Sequence, residues 1–214
     1  GPAKALEEAL SIAASMGFNT KNYENYVGTV DFNEKEKALD ILAHLDVVPV
    51  SDEWTVTKPF EPIIKDGKLY GRGASDDKGP AVTALYAMKA VKDLNIPLNK
   101  NVRLILGTDE ECGSSDIEYY YDREEEAPMT FSPDADFPLI NVEKGSFKPE
   151  FRAEFVEDKK LPRIVSVNSG VKVNVIPDRA SAVIEGITYN ELLGYCERKF
   201  LPLGITYKIT EEDN

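Results

Sequence analysis

Residues Leu69–Gly79 read L-Y-G-R-G-A-S-D-D-K-G, and the rest of the chain is best understood from there outward. A short apolar lead-in meets a Gly-Arg-Gly turn, and two adjacent aspartates stand just before Gly79-Pro80 and a long helical pattern. Proline suits the first position of a helix, where its missing N–H would have had no partner. Asp76 and Asp77 are therefore expected at the positive end of a helix dipole, on a loop that glycine lets bend sharply. Neighbouring carboxylates repel one another unless a cation or a hydrogen-bond network holds them. On the pair alone two readings stay open, a solvated acidic cap and a cation site.

Composition narrows the choice. The 214 residues suffice for one large or two small domains. A hydrophobic content of 42% and an aromatic content of 9% are those of a soluble globular protein. The net charge of −13 leaves no basic stripe for phosphates, so neither a nucleic-acid nor an anionic-membrane partner is expected. Cys112 and Cys196 are isolated, which suits a reducing, cytoplasmic setting. No apolar run approaches the roughly 18 residues of a membrane span, and the first residues lack a signal-peptide pattern.

Upstream of the motif, Ala5, Leu6, Ala9, Leu10, Ile12, Ala13 and Met16 recur at helical spacing, and Gly17 ends the pattern. Tyr26–Val30 reads as an edge strand. Ala38–Val48, A-L-D-I-L-A-H-L-D-V-V, is an apolar run of strand length suited to a sheet covered on both faces. It carries the chain's one histidine. His44 and Asp46 are two residues apart, so their side chains leave the same face of a strand. A carboxylate beside an imidazole can fix the ring tautomer and raise its basicity as a ligand. A buried histidine satisfied by a local aspartate is the other reading of that pair. Position favours the ligand, because open α/β sheets bind their ligands beyond the C-terminal ends of the strands. Between this run and the motif, Pro49, Pro59 and Pro62 break an irregular segment. Trp54 and Phe60 anchor it, Trp54 as packing rather than as a substrate contact. Lys65-Asp66-Gly67-Lys68 reads as a hairpin turn.

Downstream, Ala81, Ala84, Leu85, Met88, Val91 and Leu94 form the apolar stripe of a helix of about four turns. Asn101–Gly107 is the next strand and runs into Thr108-Asp109-Glu110-Glu111-Cys112. Carboxylates at the mouth of a buried strand are costly unless paired. A helix follows Ser115, Glu124–Glu126 reads as a solvated charge run, and Met129–Phe131 is a short strand leading to S-P-D-A-D-F-P at 132–138. Four strand ends thus carry acidic or imidazole groups, which describes a metal cleft. Nitrogen and oxygen donors without thiolate favour zinc, with cobalt or manganese as substitutes.

H-L-D at 44–46, G-R-G-A-S-D-D-K-G at 71–79, T-D-E-E at 108–111 and S-P-D-A-D-F-P at 132–138 resemble the aminoacylase/carboxypeptidase G/carnosinase family of di-zinc peptidases, and within it the PepV-type bacterial dipeptidases. The likeness spans about residues 38–145. It implies that His44 and Asp134 hold one zinc, that Asp76 bridges two ions and that Glu111 holds the second. Glu110 would be the general base, Asp46 would orient His44, and the Asp76–Asp77 peptide bond would be cis. The implied activity is hydrolysis of small peptides by a metal-activated water, without a covalent intermediate. An N-acyl amino acid amidohydrolase and a non-catalytic metal-binding remnant are the alternatives.

The resemblance implies an α/β fold, a mixed and largely parallel sheet with helices on both faces over 1–163, joined at 164–214 to the start of a smaller α+β lid. Phe147–Phe155, Ile164–Val167, Ser181–Gly186 and Ile205–Ile209 read as strands there, and Asn190–Phe200 as a helix with Cys196 inward. The family's second zinc and its lid each use a further histidine. Since His44 is the only one, both domains are expected to be incomplete and the activity of this chain impaired.

Overall fold

A computed structural model describes residues 1–50, 54–136, 138–154, 159–170 and 176–211. They group into two compact units, 1–142 and 143–214. The first is a five-stranded mixed sheet with helices on both faces. Its strands are β1 (Asn19–Tyr23), β2 (Val27–Asp31), β3 (Lys37–His44), β6 (Asn101–Gly107) and β7 (Met129–Phe131), in the spatial order β1-β2-β6-β3-β7. A separate hairpin, β4 (Ile63–Lys65) and β5 (Lys68–Tyr70), turns through Asp66-Gly67 as the sequence indicates.

Two of the four ladders in the main sheet are parallel, β3–β6 and β3–β7, and two are antiparallel, β1–β2 and β2–β6. The sheet is thus evenly mixed rather than largely parallel. The reason is local: three residues join β1 to β2, Glu24 and Asn25 with positive φ and then Tyr26, and a connection that short permits only an antiparallel pair. Val27–Asp31 consequently lies inside the sheet, not at its edge.

Alternation along the strands assigns the two faces. Val30, Ile41, Ala43, Leu104 and Leu106 point to one face. There they meet Leu6, Leu10 and Ala13 of α1 (Pro2–Ser15) and Ala81, Ala84, Leu85 and Met88 of α2 (Lys78–Asp93), most of the expected stripes; Ile12 and Leu94, expected in them, are exposed. Gly28 lets α1 approach closely, since a Cβ there would stand 2.6 Å from Leu6 Cδ1 and 2.9 Å from Leu10 Cδ2. On the other face Val27 and Ile105 pack against Tyr120 of α3 (Ser115–Tyr121). The same face buries Arg103, which donates to Asp31 Oδ1 at 2.9 Å and to the Tyr120 hydroxyl at 2.5 Å. Glu124 is not simply solvated, because Lys21 and the Tyr23 hydroxyl donate to it from β1.

In the second unit β8 (Arg163–Ser169) pairs antiparallel with β9 (Ala180–Glu185). Helix α4 (Tyr189–Lys199) opens on a capping box in which Thr188 and Glu191 satisfy each other's backbone N–H, and it closes with Arg198 and Lys199. Cys196 is buried, as expected. The strands expected at Phe147–Phe155 and Ile205–Ile209 do not form over residues 147–154 and 205–209, and Phe155 lies outside the described residues. Phe147 and Phe151 are each almost 90% exposed, at 88% and 89%, so their alternation has no neighbouring strand to serve. No helix among the described residues is long and apolar enough to cross a membrane.

Candidate metal centre

Three neighbouring parallel strands, β6, β3 and β7, end on the same edge of the sheet. That single fact carries residues 44–46, 108–111 and 132–136 to one place. The fourth contribution arrives from the loop between β5 and α2, where Asp77 is the N-cap residue and the Asp76–Asp77 peptide bond is cis. Helix α2 begins at Lys78, so Pro80 falls at its third position rather than its first. Asp77 does not cap the helix as an ordinary acidic cap would. Its side chain is fully buried and turns inward, where Oδ2 accepts the His44 N–H at 3.1 Å. Lys78 reaches the same strand end, donating from Nζ to the Leu45 carbonyl at 3.1 Å.

His44 is the centre of the arrangement and is 3% exposed. Its Nδ1 stands 3.1 Å from Asp46 Oδ1. Its Nε2 faces Asp76 Oδ1 at 2.9 Å, Asp134 Oδ2 at 3.4 Å and Glu110 Oε2 at 3.9 Å. Asp46 does more than hold the ring. Oδ1 also accepts the Glu110 N–H at 3.2 Å and Oδ2 the Glu111 N–H at 3.1 Å, so one carboxylate fixes both the imidazole and the 3₁₀ turn Glu110–Cys112. Glu111 Oε1 in turn accepts the Val48 N–H at 3.1 Å.

Charge is crowded here. Burial pushes the Asp77 carboxyl up to about 6, with Asp134 and Asp76 adding to the rise against the pull of His44. Burial raises Glu110 and Asp134 as well. For His44 burial opposes the charged ring, but the carboxylates of Asp46, Asp134, Asp77 and Glu110 outweigh it and hold the pKa above the ordinary imidazole value.

The donors fit a divalent cation. One atom each from His44, Asp76 and Asp134 can be chosen so that all lie within 4.8 Å of one another, and the same holds for His44, Glu110 and Glu111. Ligands about 2.0–2.2 Å from one tetrahedral ion stand roughly 3.3–3.6 Å apart, close to the separations around Nε2. Asp77 Oδ1 is buried without a hydrogen-bond partner, which fits an acid cluster arranged for positive charge. The first group matches the set expected for one ion. The second gathers Glu111 around His44 with Glu110, a different grouping from the expected pairing of Glu111 with Asp76.

Two positioning carboxylates escape a reading of the sequence. Asp116 is fully buried, and its Oδ2 accepts the Thr108 N–H at 2.5 Å and the Asp109 N–H at 3.0 Å, tying α3 to the turn that carries the glutamates. Gly107 makes room, since a Cβ there would lie 2.6 Å from Asp116 Oδ2. The inward turn of Asp77 is the other. The Asp-Asp pair signals a special loop but not which side chain faces in.

Comparison with known proteins is consistent with this geometry. The chain is 44% identical over 191 residues to a putative dipeptidase, YtjP, of Bacillus subtilis (strain 168), covering 88% of this chain and 41% of that protein. It is 40% identical over 187 residues to a Beta-Ala-Xaa dipeptidase of Lactobacillus delbrueckii subsp. lactis, covering 87% and 40%. The chain therefore spans about 40% of the length of these curated relatives. Among solved structures, an M20 family metallo-carboxypeptidase, Sso-CP2, from Sulfolobus solfataricus superposes with a TM-score of 0.55 at 30% identity, over 62% of this chain and 32% of that one. Human carnosine dipeptidase 1 gives the same TM-score and coverage at 24% identity, which shows the shared fold. The model of the peptidase family M20/M25/M40 matches residues 41–210, most of the chain, and the protein belongs to that family.

Proposed function

We propose that these residues are the zinc-holding and proton-transferring part of a dipeptidase. One observation carries the reading: His44 Nε2 faces the carboxylates of Asp76, Asp134 and Glu110 while its Nδ1 is held by Asp46. His44, Asp76 and Asp134 would hold one ion, and Asp76 with Glu111 a second. Zinc suits the donor set, and cobalt or manganese could replace it. Bound there, the metal would supply Lewis acidity toward a peptide carbonyl and toward the attacking water.

The chain's own residues do the rest. Asp46 keeps the His44 proton on Nδ1 and leaves Nε2 free as a donor. Glu110, whose pKa is raised by burial, is placed to take a proton from water and deliver it to the leaving amine. A free α-amino group on the substrate would separate this reaction from deacylation. Residues 1–163 form the catalytic domain in this reading and 164–214 enter the lid, although the contacts group 143–163 with the later residues. Two free cysteines fit a reducing cytoplasmic setting.

With one imidazole to serve two ions, this chain should hold zinc at the first group and hydrolyse dipeptides poorly by itself. The test is a zinc titration beside a dipeptide assay. His44→Ala and Asp134→Ala should abolish stoichiometric zinc binding. In a form of the enzyme that holds both ions, Glu110→Ala should keep zinc but lower turnover by about 10² or more, and Glu111→Ala should lose the second metal. Equal zinc loss in both glutamate variants would reverse or merge their roles, and absence of zinc binding by the unaltered chain would end the proposal.

A further inference from the structure

A cleft of about 660 Å³ lies beside the metal centre. Trp54, Leu69 and Tyr70 give it apolar surface, and the two loops that carry metal donors complete it. Ser75, which lines it, directly precedes Asp76; Pro133 and Ala135, which also line it, flank Asp134. Its volume lies in the range of small-molecule sites, and its surface is both apolar and polar. Asp136 is the one charged side chain among the described residues that line it. Arg72 holds the tryptophan from outside this lining, its guanidinium 5.5 Å from the centre of the Trp54 ring. Trp54 thus packs with Arg72 and also presents surface to the cleft.

We propose that this cleft binds the amino-terminal residue of the substrate peptide, a proposal that rests on the dipeptidase reading. A branched or aromatic side chain lies against Trp54 and Tyr70, and the α-ammonium pairs with Asp136. Charge selects that end of the peptide. A carboxylate entering the cleft would meet Asp136, the one charged side chain of the lining, whereas an ammonium is attracted to it; the charges of Asp76 and Asp134 are taken up by the zinc they would hold. An acylated nitrogen offers no charge and leaves Asp136 without a cation. The cleft is thus where a free amino end is distinguished from a blocked one.

Trp54 is the only tryptophan in the chain, so its fluorescence reports the cleft alone. The probes lack a second amino acid residue: L-leucinamide, N-acetyl-L-leucinamide, glycinamide and isocaproate, each titrated into the zinc-supplemented chain and checked to be intact after the titration. Zinc content is measured on the same samples. L-leucinamide should give a saturable change with an affinity about tenfold or more above those of its acetylated form and of glycinamide. Asp136→Asn should remove most of the preference for the free amine, weakening leucinamide about 3–10-fold, while leaving zinc content and the acetylated probe unchanged.

Equal response to the free and acetylated amides would overturn the proposal. So would preferential binding of isocaproate lost in Arg72→Gln, which would make the cleft a carboxylate subsite. A chain that binds zinc but shows no tryptophan response would refute the cleft and leave the metal centre standing. A chain that binds leucinamide but no zinc would refute the dipeptidase reading, and with it the claim that the bound residue belongs to a substrate.

Discussion

Replacing Asp46 with asparagine tests how the candidate metal centre is held together. The Asp46 side chain is only 7% exposed and makes three contacts, to His44 Nδ1, to the Glu110 N–H and to the Glu111 N–H. An amide has the same shape but one acceptor oxygen. If that oxygen faces His44 and Glu110, the new NH₂ group confronts the Glu111 N–H, donor against donor. If the amide is flipped, Nδ1 meets a donor, and the ring must place its proton on Nε2, where the cation belongs. Either arrangement loses at least one hydrogen bond to a charged group, about 1.5–3 kcal/mol. Expressed as affinity that is roughly 10–100-fold weaker zinc binding, the size typical of groups that orient metal ligands. Chelator competition measures the affinity. Urea unfolding with and without zinc separates it from general destabilisation, because the zinc-dependent part of the stability should shrink by about 1.4–2.7 kcal/mol in excess metal. An Asp46→Asn chain that binds zinc within about twofold of the original, while His44→Ala does not bind, would show that Asp46 does not set the ring.

Three further outcomes follow from the geometry. Gly28→Ala places a methyl against Leu6 and Leu10 where α1 crosses β2, and should cost about 1–3 kcal/mol in urea unfolding unless the helix shifts freely. Asp31→Ala removes the carboxylate that accepts from both buried Arg103 and buried Asn101 and should cost about 3 kcal/mol; a double substitution with Arg103→Met that recovers most of the loss would assign it to the guanidinium rather than to Asn101. In chelator, the melting temperature should fall as pH rises from about 4 to 8. Asp77, with its folded pKa near 6, and His44, with its pKa raised, both bind protons more tightly folded than unfolded. Their contribution is complete below the unfolded values and is lost as pH rises through the folded ones. Saturating zinc should reverse the slope by requiring deprotonated ligands, and an unchanged slope would contradict it.

The parts of the fold legible in the sequence are those in which a residue's environment is set by its neighbours in the chain. The stripes of α1 and α2, the apolar β3 run and the Asp66-Gly67 turn are of that kind. So is the placing of His44 at the end of a strand and of Glu110, Glu111 and Asp134 beyond strands, from which parallel pairing brings them together. β1 was hidden because N-T-K-N-Y has no apolar alternation and is held by hydrogen bonds to β2 and by Lys21 and Tyr23 meeting Glu124. Phe147–Phe151 shows the converse, since alternation is a necessary feature of a half-buried strand but creates no partner for its N–H groups.

The acid cluster marks a sharper boundary between what sequence order conveys and what it does not. Adjacent carboxylates such as Asp76 and Asp77, or Glu110 and Glu111, are equivalent as text, and only the folded backbone separates them. Asp77 is turned under the His44 N–H and loses its solvent, while Asp76 stays exposed at 61% and faces Nε2. Their different roles therefore arise from burial, not from residue type. Both donor groups found here share one imidazole. Because a single ring nitrogen can serve one ion at a time, the carboxylates that remain around the other position repel one another unless protons or a second cation neutralise them. Burial, with that repulsion adding to it, raises the pKa values of Asp77, Glu110 and Asp134. The cluster is accordingly arranged for more positive charge than the imidazole alone supplies.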